Sequence, residues 1–341
     1  MGQKTGKQFF YDSQLVPLNS SFISKNTGKA IHFPNDHGRH NRSVTEWWYF
    51  NGHLTDSLGN NYGYEFCLFR RFPLVYFAHI SITDETGQVF TFVRKFYPFF
   101  KVKLARQTAT ISYGKKQIIE QISDSIFRIK GELNDIKLDL LLEMKKTPLI
   151  INGNGKIRME GGKSFYYSLT RLKTNGSINR EGKSMQVTGI SWMDHQWGNF
   201  RVIKKNWDWF SFQMEDGTDY NLYLFRNKRH KPLKQYANIL DEKNKTIFPK
   251  QIIISRNGLW QNQKTRHWYA TDWEIILPDQ RDTFLVAAKM KNQELFSINK
   301  FDFFPSYWEG ACSVIKKTAN GKAVRGLGFA EQFPFRKNKI K

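Results

Sequence analysis

Apolar and polar positions alternate along this chain in short runs. WWYFNGHL, YGYEFCLFR, YFAHISIT, VFTFVRKFY, SFYYSLTRL, WFSFQM, YNLYLFR, WEGACSV and VRGLGFAEQ are rich in aromatic and β-branched residues, which suit a pleated, half-buried surface. Between them fall SLGNN, DETGQ, NGNG, TNG, EDGTD and ANG, whose Gly and Asn residues supply the conformations that tight turns need. No long segment repeats its apolar positions with helical period, so helices are expected to be few and short. The pattern predicts an all-β chain of antiparallel sheets, closed as barrels or stacked as sandwiches.

The runs also repeat. WWYFNGHLTD at 47–56 and WDWFSFQMED at 207–216 share W-x-aromatic-F-x-x-x-(L/M)-x-D without a gap. Each is followed by a turn and a strand ending in Leu-Phe-Arg, at Arg70 and Arg226. VTGISWMDHQ at 187–196 matches VRGLGFAEQF at 324–333, and aromatic runs leading into Asn-Gly turns precede both (165–176 and 307–321). Four matches in one order predict two barrel-like halves, roughly 43–200 and 204–334. The expected domains are 36–202 and 203–341, with residues 1–35 as an extension packing on the first.

Strand alternation sorts the candidate chemistry by face. Trp47, Tyr49, Asn51 and His53 share one face of the first strand, and Glu46, Trp48, Phe50 and Leu54 share the other. In the second half Trp207, Trp209, Ser211 and Gln213 take the place of the first set. Aromatic residues at one end and polar groups at the other suit a ligand cavity, and Trp47 and Trp207 are expected to plug the barrel floors. In GISWMDHQWGNF (189–200) the same rule separates Asp194, with Trp192 and Gln196, from His195, with Met193 and Trp197. They are therefore not a dyad unless the strand bulges.

Asp194 is the first candidate acid, because its counterpart Glu331 is also acidic while His195 becomes Gln332. Glu309, in YWEGA beside Gly310 and aligned by the repeat with Tyr167, is the second: an acid between bulky aromatics loses solvation and gains proton affinity. Glu46 is the third; its plain alternative is a salt bridge to Arg42 or Arg70. The candidate ligand contacts are Tyr49, Asn51, His53, Arg70, Tyr167, Trp192, His195, Trp197, Trp209, Gln213 and Trp308.

EWWYFNGHL, SWMDHQW, WDWFSFQ and YWEGA resemble the signature segments of the hydroxyneurosporene synthase family, which includes carotenoid hydratase-like and AttH-like proteins. The resemblance runs from about Asp36 to about Phe335. It implies two tandem lipocalin-like β domains with a ligand pocket in or between them. For activity it implies a range, from hydration of polyene double bonds to cyclisation of polyketide-type substrates.

Composition narrows the partners. Lys and Arg exceed Asp and Glu by 23, which favours anionic surfaces. The basic residues are scattered, however, without a nucleic-acid-binding motif, so no nucleic acid is expected and only a weak association with an anionic membrane surface. No apolar run is long enough to span a bilayer and no signal peptide is visible, so the chain reads as cytoplasmic, or as periplasmic or secreted if its N-terminus was trimmed. Cys67 and Cys312 read as buried thiols. His37, His40, His53 and His195 could converge, but their spacing matches no metal motif, and G-x-S-x-G is absent. Neither a metal nor a cofactor is expected. Two readings of function stand: a cofactor-independent hydratase, isomerase or cyclase acting by acid assistance on an extended apolar molecule (polyene, isoprenoid or polyketide type), and a non-catalytic lipocalin-type carrier or sensor.

Overall fold

The computed structural model describes residues 31–71, 75–159, 162–200, 206–227, 232–296 and 306–335. The expected extension therefore lies mostly outside the described residues; of its described part, Ile31 and Phe33 pack on the first barrel core.

Among the described residues helix is confined to short 3-10 turns, and two antiparallel sheets carry the fold. The first begins with β1 (Thr45–Asp56), β2 (Asn61–Arg71), β3 (Val75–Asp84) and β4 (Val89–Pro98). It continues through β5 (Val102–Leu104), β6 (Ile111–Tyr113), β7 (Lys116–Gln121), β8 (Ile126–Leu133) and β9 (Ile136–Met144). The short β10 (Leu149–Ile150) and β11 (Lys156–Met159) precede the long β12 (Gly162–Arg180) and β13 (Lys183–Asn199). Its order is β4-β3-β2-β1-β13-β12-β9-β8-β7-β6-β5. The sheet curls until β3 and β4 lie beside β8.

The second sheet contains β14 (Asn206–Met214), β15 (Asp219–Arg226), β16 (Pro232–Leu240), β17 (Thr246–Ile247) and β18 (Ile253–Gln261). β19 (Trp268–Leu277), β20 (Asp282–Ala288), β21 (Glu294–Leu295), β22 (Tyr307–Lys317) and β23 (Ala323–Gln332) complete it. The order is β17-β16-β15-β14-β23-β22-β20-β19-β18. Strands β17 to β14, β23 and β22 thus repeat the arrangement of β4 to β1, β13 and β12. The sequence repeat is a repeat of strand order, and the chain is a tandem of lipocalin-like domains.

Each barrel interior is filled by side chains. Phe50, Phe66, Ile80, Leu140 and Met193 belong to the first core, and Phe212, Trp273, Phe284 and Trp308 to the second. A third apolar cluster joins residues of both halves, among them Tyr49, Cys67, Tyr166, Trp192, Trp209, Tyr223 and Phe329. The burial patterns show why. β8 and β9 alternate between buried and more exposed positions, as strands with one solvated face do. β2, β14 and β15 are buried at nearly every position, because one face lines a barrel and the other is covered by the opposite domain. Trp47 and Trp207, expected at the barrel floors, stand on those covered faces; alternation places a residue on a face but does not say which face is inside.

Equivalent surfaces meet across the seam. Tyr49 and its counterpart Trp209 pack edge to face with ring centroids 5.6 Å apart, an approximately twofold contact. Polar groups also cross it. Gln293 is held by Thr83 Oγ1, which donates at 2.7 Å, and by the Ala311 backbone N–H at 2.9 Å. A Cβ on Gly310 would lie 2.2 Å from the Gln293 side chain, so the glycine of YWEGA makes room for this bridge.

Candidate functional site

Side chains on the covered faces surround a partly open cavity between the domains. The first domain contributes Trp47, Tyr49, Cys67, Phe69, His79, Tyr166, Asp194 and Gln196; the second contributes Trp207, Trp209, Tyr223, Tyr307, Glu309 and Glu331. The free volume is about 50 Å³, room for a few waters or the reacting end of a ligand. An extended molecule would have to leave most of its length outside or displace aromatic rings.

Asp194 projects from β13 opposite Ser168 on β12 and Tyr49 on β1. Its Oδ1 accepts hydrogen bonds from Ser168 Oγ and Trp192 Nε1, both at 2.6 Å, and its Oδ2 accepts one from the Tyr166 hydroxyl. The Tyr166 oxygen in turn accepts from Trp209 Nε1 at 3.0 Å and Asn221 Nδ2 at 2.8 Å. With its lone pairs taken, Tyr166 has only its proton to offer, so the network fixes Asp194 as an acceptor. Burial raises the carboxyl to about 7 against these three donors.

Glu309, on β22, faces Glu331, on β23, as a direct cross-strand pair. Two carboxylates so placed cannot both ionise cheaply. Burial raises Glu309 well above the ordinary range, and Glu65, Glu331 and Asp194 add to the effect. Tyr49 donates to Glu309 Oε1, and Asn51 Nδ2 holds the Tyr49 oxygen at 2.8 Å. Burial likewise raises Glu331 to about 8, with Glu65 and Asp194 contributing and a Trp207 hydrogen bond opposing. Glu331 keeps some accessibility because it opens on the cavity. The repeat alignment of Glu309 with Tyr167 is corrected by the ladders: Glu331 corresponds to Asp194, so its partner Glu309 corresponds to Ser168. A register shift in β12 between Leu169 and Leu172 obscured this.

Glu46 lies elsewhere, buried on the inner side of the first sheet. Its Oε2 accepts from Arg70 at 2.7 Å, while His40 Nδ1 and His195 Nε2 lie 2.8 and 3.2 Å from Oε1. His40 stacks on Trp197 at 3.8 Å, and His195 stacks on Trp48 at 4.7 Å. His37 and His195 both reach the Tyr167 hydroxyl, at 2.6 and 3.3 Å. Three of the four histidines considered together do gather here, whereas His53 is on the opposite face. The guanidinium on Glu46 makes this cluster a salt-bridged latch, and it brings Glu46, Arg70, Tyr167, His195 and Trp197 together away from the cavity.

The remaining candidates divide. Tyr49, Trp209 and Asp194 line the cavity, Trp192 and Asn51 support it, and Gln213 donates to the Thr170 and Ser191 carbonyls at 2.7 and 2.9 Å. His53 Nε2 lies 3.0 Å from the Gly328 carbonyl. Trp308, expected beside Glu309 at the ligand, points into the second barrel core, since neighbours on a strand face opposite ways. His79, Tyr166 and Tyr307 were missed, and only the hairpin register and the domain seam bring them to the cavity; Glu65, buried beside Cys67 and His79, was missed as well.

These groups give stability a pH dependence of two signs. Burial tends to raise Glu46, but hydrogen bonds and charge from His195 and His40 outweigh it and hold the carboxyl at about 2. A depressed acid contributes stability above its unfolded value near 4.5 and loses it as pH falls toward 2. Asp194, Glu309 and Glu331 are raised, so the folded state binds more protons than the unfolded one between about pH 4 and 8, and their contribution falls as pH rises through that window. Calorimetric melting temperatures should peak near pH 5 in the wild type, and the decline toward pH 8 should flatten in Glu331→Gln. A melting temperature rising steadily from pH 5 to 8 contradicts this assignment.

A family model described as AttH-like matches residues 24–332. The fold is shared with a Nitrosomonas europaea protein described as AttH: 24% identity, 90% of this chain and 98% of that chain covered, TM-score 0.80. It is also shared with kievitone hydratase from Nectria haematococca (18% identity, 93% and 97% covered, TM-score 0.76). CghA, solved with Sch210972, is more distant (11% identity, 86% and 89% covered, TM-score 0.60). No curated protein sequence matches the chain. No helix among the described residues is long and apolar enough to cross a membrane.

Proposed function

Because the chain belongs to the AttH-like family, we propose that the cavity between its domains takes the reacting end of an apolar molecule and catalyses acid-assisted addition of water to a carbon–carbon double bond. The observation that carries this reading is the Glu309–Glu331 pair, set in an aromatic cavity with Asp194 also on its wall. Solved structures of similar fold include a protein described as a hydratase, which supports the same reading.

Acid and base roles follow from the unequal surroundings of the carboxyls. With Tyr49 donating to Oε1, the Glu309 proton is carried on Oε2 and passes to one alkene carbon. The other carbon becomes cationic, and the faces of nearby aromatic side chains such as Trp209 and Tyr223 stabilise it. A water adds through its oxygen, and its surplus proton goes to the Asp194 carboxylate. The product has gained one H and one OH, and solvent returns the two carboxyls to their starting states. In this reading the acid is Glu309 and Asp194 is the acceptor, because three donors oppose the burial that raises Asp194, whereas Glu309, with the single donor Tyr49, is raised well above the ordinary range. No cofactor is needed. Isomerisation or cyclisation would use the same proton donor without the water.

The test is isotopic. Native mass spectrometry of the purified full chain identifies any retained ligand, and polyene, isoprenoid and polyketide-type compounds are then incubated with it in H₂¹⁸O and in D₂O. Hydration places one ¹⁸O and one carbon-bound deuterium in the product. Ring closure or isomerisation without ¹⁸O narrows the reaction to the other branch. A ligand that is bound but returned unlabelled and unchanged makes the protein a carrier and removes the catalytic reading.

A further inference from the structure

On the first domain's side of the cavity, a thiol and an imidazole that line it stand together with a buried carboxylate that does not. Cys67 on β2 and His79 on β3 are direct cross-strand partners, and Glu65, two residues before Cys67, projects from the same face. We propose that Glu65, Cys67 and His79 form a binding site for one thiophilic divalent cation of the zinc class. The proposal does not depend on the hydration reading.

Proximity comes first. One ligand atom from each of the three side chains lies within 4.8 Å of the other two, and all three residues are buried. Bonds of about 2.0–2.3 Å to nitrogen, oxygen and sulfur require ligand atoms roughly 3–4 Å apart, so small rotations about side-chain bonds complete the grip. The set of one sulfur, one nitrogen and one oxygen donor suits zinc rather than magnesium or calcium, which take oxygen.

The polar accounting points the same way. Both Glu65 carboxylate oxygens are buried without a hydrogen-bond donor. His79 Nε2 lies 3.1 Å from Oε1, but not in hydrogen-bonding alignment. A buried carboxylate without donors is costly, and a cation between Glu65 and His79 resolves it. The Tyr307 oxygen lies 3.1 Å from His79 Nδ1 and 3.3 Å from Nε2. A bond from Nδ1–H to Tyr307 leaves the Nε2 lone pair for the metal, the outer support that ligating histidines usually have. One thiolate and one carboxylate offset the two charges of the ion. Three protein ligands leave a position open, and Cys67 and His79 both line the cavity, which supplies the entry path.

Chelator-stripped full chain titrated with Co²⁺ tests this directly. The expected result is one equivalent bound, with a thiolate-to-cobalt charge-transfer band and tetrahedral ligand-field absorption that excess Zn²⁺ abolishes. Cys67→Ser should lose the charge-transfer band, whereas Cys312→Ser, in the second barrel core, should keep it. Glu65→Gln, nearly isosteric, should weaken binding at least tenfold and guards against misfolding of the Cys67 variant. Failure of the wild type to bind Co²⁺, a band that survives in folded Cys67→Ser, or unchanged affinity in Glu65→Gln overturns the site. Activity is not the readout, so loss of this site and loss of the hydration reading remain separate results.

Discussion

Glu309→Gln should lower turnover by roughly 10²–10⁴-fold, the usual contribution of a positioned proton donor, with substrate affinity little changed. Glutamine keeps the shape of the side chain and can still accept from Tyr49 through Oε1, so only the transferable proton is lost. The variant should also melt no lower than wild type, and somewhat higher above pH 7, because an amide escapes the cost of ionising beside Glu331 and Glu65. Steady-state kinetics on the substrate identified by mass spectrometry, together with calorimetry, check both halves. Turnover within threefold of wild type would remove Glu309 from the mechanism. Asp194→Asn is the less informative substitution: an amide nitrogen on either side would face hydroxyl or indole donors, so its effect mixes chemistry with damage to the Tyr166–Ser168–Trp192 network.

The largest effect on stability is expected at the opposite end of the seam. Asp219 opens β15 fully buried, with Arg171 Nη2 at 2.6 Å, Lys146 Nζ at 3.1 Å and Thr170 Oγ1 at 2.8 Å. Lys146 also donates to the Gly217 and Leu240 carbonyls at 2.7 and 2.8 Å. Asp219→Ala leaves two buried cations facing each other without their anion, which should cost about 3–5 kcal/mol. For domains of this size that corresponds to a melting temperature about 10 °C lower. A shift below 2 °C by differential scanning calorimetry would mean that the ion cluster is incidental to the seam.

Much of the architecture is legible in the sequence, because hairpins announce themselves locally. Alternation within WWYFNGHL and SWMDHQW separates Asp194 from His195, and the repeated motifs give the two halves and their shared strand order. The meaning of each face is not legible. In a barrel packed against a second barrel, both sides of a strand are apolar, so nothing local distinguishes inside from seam. Trp47 and Trp308 were misplaced for that reason. The latch around Glu46 was half visible, since Arg70 could be named as its partner but the stacking of His40 on Trp197 could not. Glu65 carried a faint signal as a lone acid in the otherwise uncharged YGYEFCLF. His79 carried none until the β2–β3 register set it opposite Cys67.

The meeting of Tyr49 with Trp209 has a consequence for selectivity. A chamber between two equivalent surfaces would offer any guest two poses, one the half-turn image of the other, and so two regioisomeric products. Here the equivalence is broken where it matters: Ser168 stands where the other half has Glu309, Tyr49 where it has Trp209, and Cys67 where it has Tyr223. With Glu309 as the proton donor proposed above, only one pose would bring a double bond to it. On that proposal, divergence between the two copies would choose which end of a molecule reacts.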